Sequence, residues 1–220
     1  MKQFQFPFKK AIVFGFSRAW ENLPRVIACS LIFFASSLMV AALMLFSIFR
    51  FIIFIPHSFM TSLSLFIGIC IAAFFCFSIL LLGFFKQMLE IERTGRTSIL
   101  TLFSCLSVRL GVGYLLYIIM VNVGFAFLLI PGLIFASRFM YFPLCIVDKN
   151  EGPIESLQSS WQLTAGYTWI NLLFFFVINI VAPGMGILWI FTFPAAILSM
   201  IYMYDFLLKH QHTGRKHTHL

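Results

Sequence analysis

Residues 110–147 read LGVGYLLYIIMVNVGFAFLLIPGLIFASRFMYFPLCIV, an apolar stretch interrupted near its middle by Pro131-Gly132. As one straight helix it would measure about 57 Å, nearly twice the roughly 30 Å of a bilayer's hydrocarbon layer. Proline cannot donate the helical hydrogen bond and glycine tolerates a turn, so the stretch is predicted to reverse at Pro131-Gly132 and cross twice, over 110–130 and 132–147. The same argument applies to residues 167–204. There Pro183-Gly184 interrupts a second long apolar stretch, which divides into crossings at 167–182 and 187–207. Two earlier runs, 26–49 and 63–85, are each long enough for one crossing; the first is followed by Arg50 and a short apolar patch that Pro56 closes.

The expected fold is all-α: a polytopic bundle of six transmembrane helices in a single integral membrane domain over residues 1–208, with residues 209–220 as a polar, His-rich, disordered tail. Composition requires a membrane setting. The chain is 61% hydrophobic and 10% charged, with a mean hydropathy of +1.01, where soluble domains are nearer half apolar and a quarter charged. A net charge of +8 would suggest nucleic acid in a soluble protein, but beside apolar spans it reports orientation and attraction to anionic lipid headgroups, so nucleic acid is excluded as a partner.

Lys and Arg in short loops stay on the cytoplasmic side. With six crossings, 13 of the 15 basic residues fall on one side: Lys2, Lys9, Lys10, Arg18, Arg25, Lys86, Arg93, Arg96, Arg109, Lys149, Lys209, Arg215 and Lys216. Arg50 falls opposite and Arg138 lies inside the fourth span. Both termini are therefore expected in the cytoplasm. The run beginning at Val26 is too long for the core of a signal peptide and reads as a retained span.

Three spans are preceded by short amphipathic segments. The first places Phe8, Ile12, Phe16, Ala19 and Leu23 at helical spacing; the last runs from Pro153 to Gly166 with Ile154, Leu157, Trp161 and Ala165 on one face; the middle one begins at Thr97 or Ser98. They are expected to lie in the membrane interface, with Trp20 and Trp161 as anchors. Pro131-Gly132 followed by Phe142-Pro143, and Pro183-Gly184 followed by Phe193-Pro194, suggest one kinked helix design used twice. One amphipathic helix plus two spans, repeated three times, implies parallel repeats about an axis along the membrane normal.

Ile130-Pro131-Gly132, Ala136-Ser137-Arg138-Phe139, Pro143, Asp148, Pro153-Ile154-Glu155-Ser156-Leu157 and Ser160-Trp161 to Gly166 resemble a bacterial pattern. It is similar to that of the YciC-like inner membrane proteins and the related membrane domain attached to some glycerophosphodiester phosphodiesterases. The likeness is closest over residues 130–170. It implies a multi-pass protein of the bacterial cytoplasmic (inner) membrane with no established chemistry of its own.

Chemistry is sparse. The sequence has no GxSxG, P-loop, HExxH or GxGxxG motif and no paired intramembrane carboxylates. The five cysteines form no CxxC and read as small core hydrophobes, so no metal, no cofactor and no catalytic residue is expected. Arg138 is the exception. On a straight helix it lies about 10 Å from Pro131 and about 15 Å from Asp148, too deep for easy snorkelling, and burial there costs about 3 kcal/mol. It needs acceptors, and Asn122, Asn171, Asn179 and carbonyls released by Pro143 are the candidates. Either Arg138 is an internal clamp between spans, or it attracts a lipid phosphate or carboxylate substrate. The corresponding functions are a non-enzymatic membrane component in envelope maintenance or scaffolding, with lipids, other membrane proteins or itself as partners, and a small transporter or lipid-handling permease with an anion site at Arg138.

Overall fold

The computed structural model describes residues 8–54, 59–95, 101, 108–181 and 188–215. Pro183, Gly184, Pro56, Thr97 and Ser98 lie outside them. In chain order the helices are α1 (Phe8–Glu21), α2 (Leu23–Phe54), α3 (Phe59–Thr94), α4 (Val108–Phe127), α5 (Leu129–Arg138), α6 (Phe142–Lys149), α7 (Pro153–Leu163), α8 (Thr168–Val181) and α9 (Trp189–Arg215). No strand occurs among the described residues. Among the described residues, four segments are long and apolar enough to cross a membrane: Leu23–Ile52, Leu63–Thr94, Ile130–Lys149 and Trp189–His210. The pair α7 and α8, bent by 111° between them, passes the same test together, and Gly111–Ala126 is apolar but shorter. The chain is an all-α, multi-pass integral membrane protein.

Residues 110–147 do fold back, but not at the dipeptide expected to turn them. The reversal is at Leu128, whose backbone is extended (φ −168°, ψ 155°), while Pro131 and Gly132 sit in the first turn of α5. The physical reason is that a proline in a first turn loses no intrahelical bond, because those N–H groups have no partner anyway. Gly132 serves the return path instead. A Cβ on Gly124 would stand 2.9 Å from the Gly132 Cα, so the two glycines allow α4 and α5 to meet backbone to backbone. Further along the hairpin Tyr114 and Tyr117 of α4 pack their rings on Phe142, with centroids 5.1 and 5.5 Å away.

Three other expectations are corrected. The second span does not give way to a loop at Phe85. α3 continues to Thr94 because the added turns are packed inside the bundle, with Gln87, Met88, Leu89 and Ile91 all buried. It stops at Gly95, in the left-handed region (φ 65°), whose N–H donates to the Ile91 carbonyl. The fourth and sixth spans do not share one kink. Pro143 starts a new helix after a break at residues 139–141, whereas Pro194 lies inside the continuous α9, which forgoes one helical bond there without breaking. The tail is not wholly irregular, since α9 runs on to Arg215, carrying residues 209–215 in helix.

The first amphipathic helix buries a face of a different kind from the one its large apolar residues suggest. Ala11, Gly15 and Ala19, spaced four apart, are fully or nearly covered. They lie along α9, against which α1 makes its main packing; a Cβ on Gly15 would fall 2.5 Å from the Ala195 carbonyl. Small residues at this spacing let two backbones approach closely, which is how helices associate where lipid offers no hydrophobic drive. Phe14 against Tyr202 and Phe16 against Phe191 flank the crossing.

Polar contacts show that the chain returns repeatedly to one end of the bundle. Arg25 at the start of α2 donates to the Gly95 carbonyl after α3. Arg93 near the end of α3 pairs with Asp148 at the end of α6. The Tyr204 hydroxyl of α9 donates to the same Asp148 at 3.2 Å, and Arg93 comes within 3.9 Å of Asp205. Arg18 of α1 reaches Glu92 at 3.2 Å and Glu21 at 2.9 Å. The hydrogen bond to Glu21 and the charge of Glu92 push the Arg18 guanidinium above its ordinary range.

The α1–α9 crossing is the least forgiving contact. Gly15→Ala should destabilise the protein by about 1–3 kcal/mol through overpacking, and Gly15→Leu by more. Val13→Leu on the exposed face of the same helix should change little. Thermal unfolding of the three variants in detergent checks this order.

Candidate functional site

The break before Pro143 creates the site. In an unbroken helix the carbonyls of residues 137 and 138 would receive the N–H groups of residues 141 and 142. Here the Phe142 N–H turns to the Phe139 carbonyl instead, and Phe139 and Tyr141 both sit near φ −90°, ψ 0°. Carbonyls left over in this way must find donors within the protein. The Ser160 hydroxyl of α7 donates to the Arg138 carbonyl at 2.7 Å, and the Asn171 amide of α8 donates to the Ser137 carbonyl. Asn171 accepts in turn from the Tyr141 hydroxyl at 2.8 Å. Ser137, Tyr141, Ser160 and Asn171 are all fully buried.

The Arg138 side chain leaves the same break in the direction of α7 and α8. Its Nε and Nη2 donate to the Thr168 hydroxyl at 3.2 and 2.6 Å. Its guanidinium lies over the Trp161 ring, 4.1 Å from the centroid. Trp161 also packs against Phe135 and Phe139, with ring centroids 5.8 and 5.4 Å away, so the indole meets two aromatic rings as well as the cation. One arginine thus joins α5, α7 and α8 through its carbonyl, its nitrogens and its planar face. A guanidinium over indole is worth about 0.5–2 kcal/mol depending on desolvation.

Of the acceptors expected for Arg138, none is the partner found. Asn122 and Asn179 are exposed and donate to carbonyls of their own helices, Ile118 at 2.7 Å and Phe175 at 2.8 Å. Asn171 is in the site but serves Ser137 and Tyr141. The carbonyls freed near Pro143 go to Ser160 and Asn171. Thr168 was missed because it stands at the boundary between an amphipathic segment and a span; its sequence signal is the preceding Gly166, in the left-handed region (φ 85°), which ends α7 and aims α8 back at the break. The two expected anchors part company: Trp20 is 69% exposed, whereas Trp161 is turned inward by Arg138.

Among the described residues, three cavities lie away from this site. Two, of about 670 and 690 Å³, flank α2 and α3 and are lined almost wholly by apolar side chains. A smaller one of about 210 Å³ lies among Phe14, Glu92, Tyr202, Asp205 and Lys209 at the charged end of the bundle. No family model, curated protein or solved structure matches the chain.

Arg138→Met should lower stability by about 2 kcal/mol, the scale of one charge-assisted hydrogen bond and one ring contact. Arg138→Lys should not restore it, because an ammonium cannot lie flat on the indole while donating from two fixed nitrogens. Asn171→Leu should cost more, about 2–4 kcal/mol, since it leaves both the Ser137 carbonyl and the Tyr141 hydroxyl buried without partners. Unfolding midpoints in detergent for the three variants check the ranking.

Proposed function

We propose that the protein is a non-enzymatic component of the bacterial cytoplasmic membrane, a packing scaffold akin to the YciC-like proteins, serving envelope maintenance or the assembly of other membrane proteins. The observation that carries this reading is the engagement of Arg138. A guanidinium free to take a substrate anion would present its donors to a cavity; this one spends Nε and Nη2 on Thr168 and its face on Trp161, which is the behaviour of a clamp. The buried polar groups beside it are engaged as well: Ser160 with the Arg138 carbonyl, and Asn171 with the Ser137 carbonyl and the Tyr141 hydroxyl. Of the two readings open for Arg138, the clamp is the one these contacts favour.

The same proposal includes six crossings with both termini in the cytoplasm, arranged as three two-span units. Support comes from the contacts at one end of the bundle: Arg25 with Gly95, Arg93 with Asp148, and Asp148 with Tyr204 each close a segment that leaves that end and returns to it. An even number of crossings between each pair is what such closure requires. The basic residues cluster toward that end, as cytoplasmic loops demand. Anionic lipid headgroups there, and other membrane proteins or a second copy, are the expected partners.

Two measurements test the proposal. With the native cysteines replaced, single cysteines at Lys10 and Gln158 should react with an impermeant maleimide only from the cytoplasmic side, and those at Leu128 and Leu188 only from the opposite side; labelling of Leu128 and Gln158 from one side would overturn the topology. Reconstituted in vesicles, the wild-type chain should not speed the movement of fluorescent phosphatidylglycerol between leaflets. An Arg138→Met variant as stable as the wild type, combined with lipid movement that only the wild type supports, would replace the scaffold by a permease.

A further inference from the structure

One face of α4 is used inside the bundle, where Tyr114, Tyr117 and Gly124 meet α5 and α6. Another is left uncovered among the described residues. Along it Val112, Leu115, Ile119, Asn122 and Ala126 are all exposed. They recur at intervals of three, four, three and four, which is the spacing of a seam that two helices can share.

One of these five residues is polar. Asn122 donates one side-chain N–H to the Ile118 carbonyl of its own helix, and this is its only hydrogen bond among the described residues. The second N–H and the Oδ1 acceptor are left over, although Asn122 stands about 21 Å along α4 from Val108. Water is not at hand there. Val123, Phe125, Leu128 and Ile130 are exposed and apolar, so hydrocarbon continues past Asn122 to the α4–α5 reversal, farther than an asparagine side chain can reach. Asn179 is also exposed and also donates to its own helix, but it lies two residues before the end of α8. An amide left unmet in lipid is costly, and a donor or acceptor from another helix removes that cost.

We infer that α4 is the contact between two copies of this chain, paired in parallel about an axis along the membrane normal, with each Asn122 amide N–H donating to the Oδ1 of the other across a seam of Val112, Leu115, Ile119 and Ala126. Copies inserted in one orientation close into a twofold pair only about such an axis, which sets α4 against its own counterpart and places identical residues opposite one another at one depth. A carboxamide is its own complement there, because it carries both donor and acceptor and brings no charge. The lone asparagine also fixes register, since a shift by one turn would leave it unmet again. Acyl chains can cover the seam but offer the amide nothing. The pairing rests on the single membrane orientation proposed above and names the second copy as the scaffold's partner; it is independent of the role assigned to Arg138.

Sedimentation equilibrium of the full chain in mild detergent and disulfide trapping in membranes test the pairing. The wild type should show a monomer–dimer equilibrium, and Asn122→Leu should weaken it about tenfold. Its unfolding midpoint should not fall, because the change only replaces an exposed polar group by an apolar one, so lost pairing is not lost fold. With the native cysteines replaced, Leu115→Cys and Ile119→Cys should give cross-linked dimers on oxidation. Met120→Cys, equally exposed but turned about 100° from Ile119, should not. A wild type that stays monomeric at every loading, an Asn122→Leu variant that pairs as tightly, or Met120→Cys that cross-links as readily as Ile119→Cys would each overturn the inference. So would preferential trapping of Asn122→Cys with Asn179→Cys, the mark of a head-to-tail contact. Should Asn122→Leu fail to fold, the contrast between Ile119→Cys and Met120→Cys decides. Failure of the pairing leaves the scaffold reading standing, since that reading is judged by lipid movement and by Arg138→Met.

Discussion

A backbone carbonyl inside a bilayer must be met by a donor from the protein, and this requirement organises the second half of the chain. Pro143 ends the regular ladder at residues 139–141 and leaves two carbonyls, on Ser137 and Arg138, without helical partners. Ser160 and Asn171 meet them. Those two residues belong to α7 and α8, so the break in one span dictates where the next two elements must stand. Arg138 then fills the remaining angle, tying Thr168 and Trp161 to the same point. Removing a helical bond therefore gains tertiary definition: the backbone's unmet demand is converted into side-chain contacts between three elements.

Elsewhere the bundle relies on close approach instead of polar contacts. Gly124 and Gly132 bring α4 and α5 together, and Ala11, Gly15 and Ala19 seat α1 on α9. In lipid, helices gain little by hiding apolar side chains from one another, so backbone proximity and dispersion carry the association. Aromatic side chains fill what is left: Phe33, Phe84 and Phe193 stack from three helices within 6.0 Å of one another. The α2–α3 hairpin lacks this treatment over much of its length, and its walls remain turned to the lipid.

At the charged end the chemistry is different. Arg18, Glu92, Arg93, Asp148, Tyr204 and Asp205 form a set of pairs linking α1, α3, α6 and α9. Arg18 and Arg93 are partly exposed, so each pair contributes modestly to stability. Their value lies in alignment, because each pair joins the end of one hairpin to the end of another.

The all-helical class and the membrane setting were legible from residue order alone, since hydrocarbon thickness and helical rise leave few ways to fold runs as apolar as 26–49. Arg138 was recognisable as costly for the same reason. What residue order did not reveal was where the strain would be relieved. The turn moved from Pro131 to Leu128 because a first-turn proline costs nothing, and α3 outlasted Phe85 because its added turns found a face to bury. Arg138 chose Thr168 and Trp161 over three asparagines because partner choice follows the crossing angle of packed helices, and that angle exists only once Gly166 has bent the chain and Gly132 has let two backbones touch. Local pattern sets how long each helix is and what it can tolerate; which side chains meet is a property of the assembled bundle, where distance in sequence no longer measures distance in space.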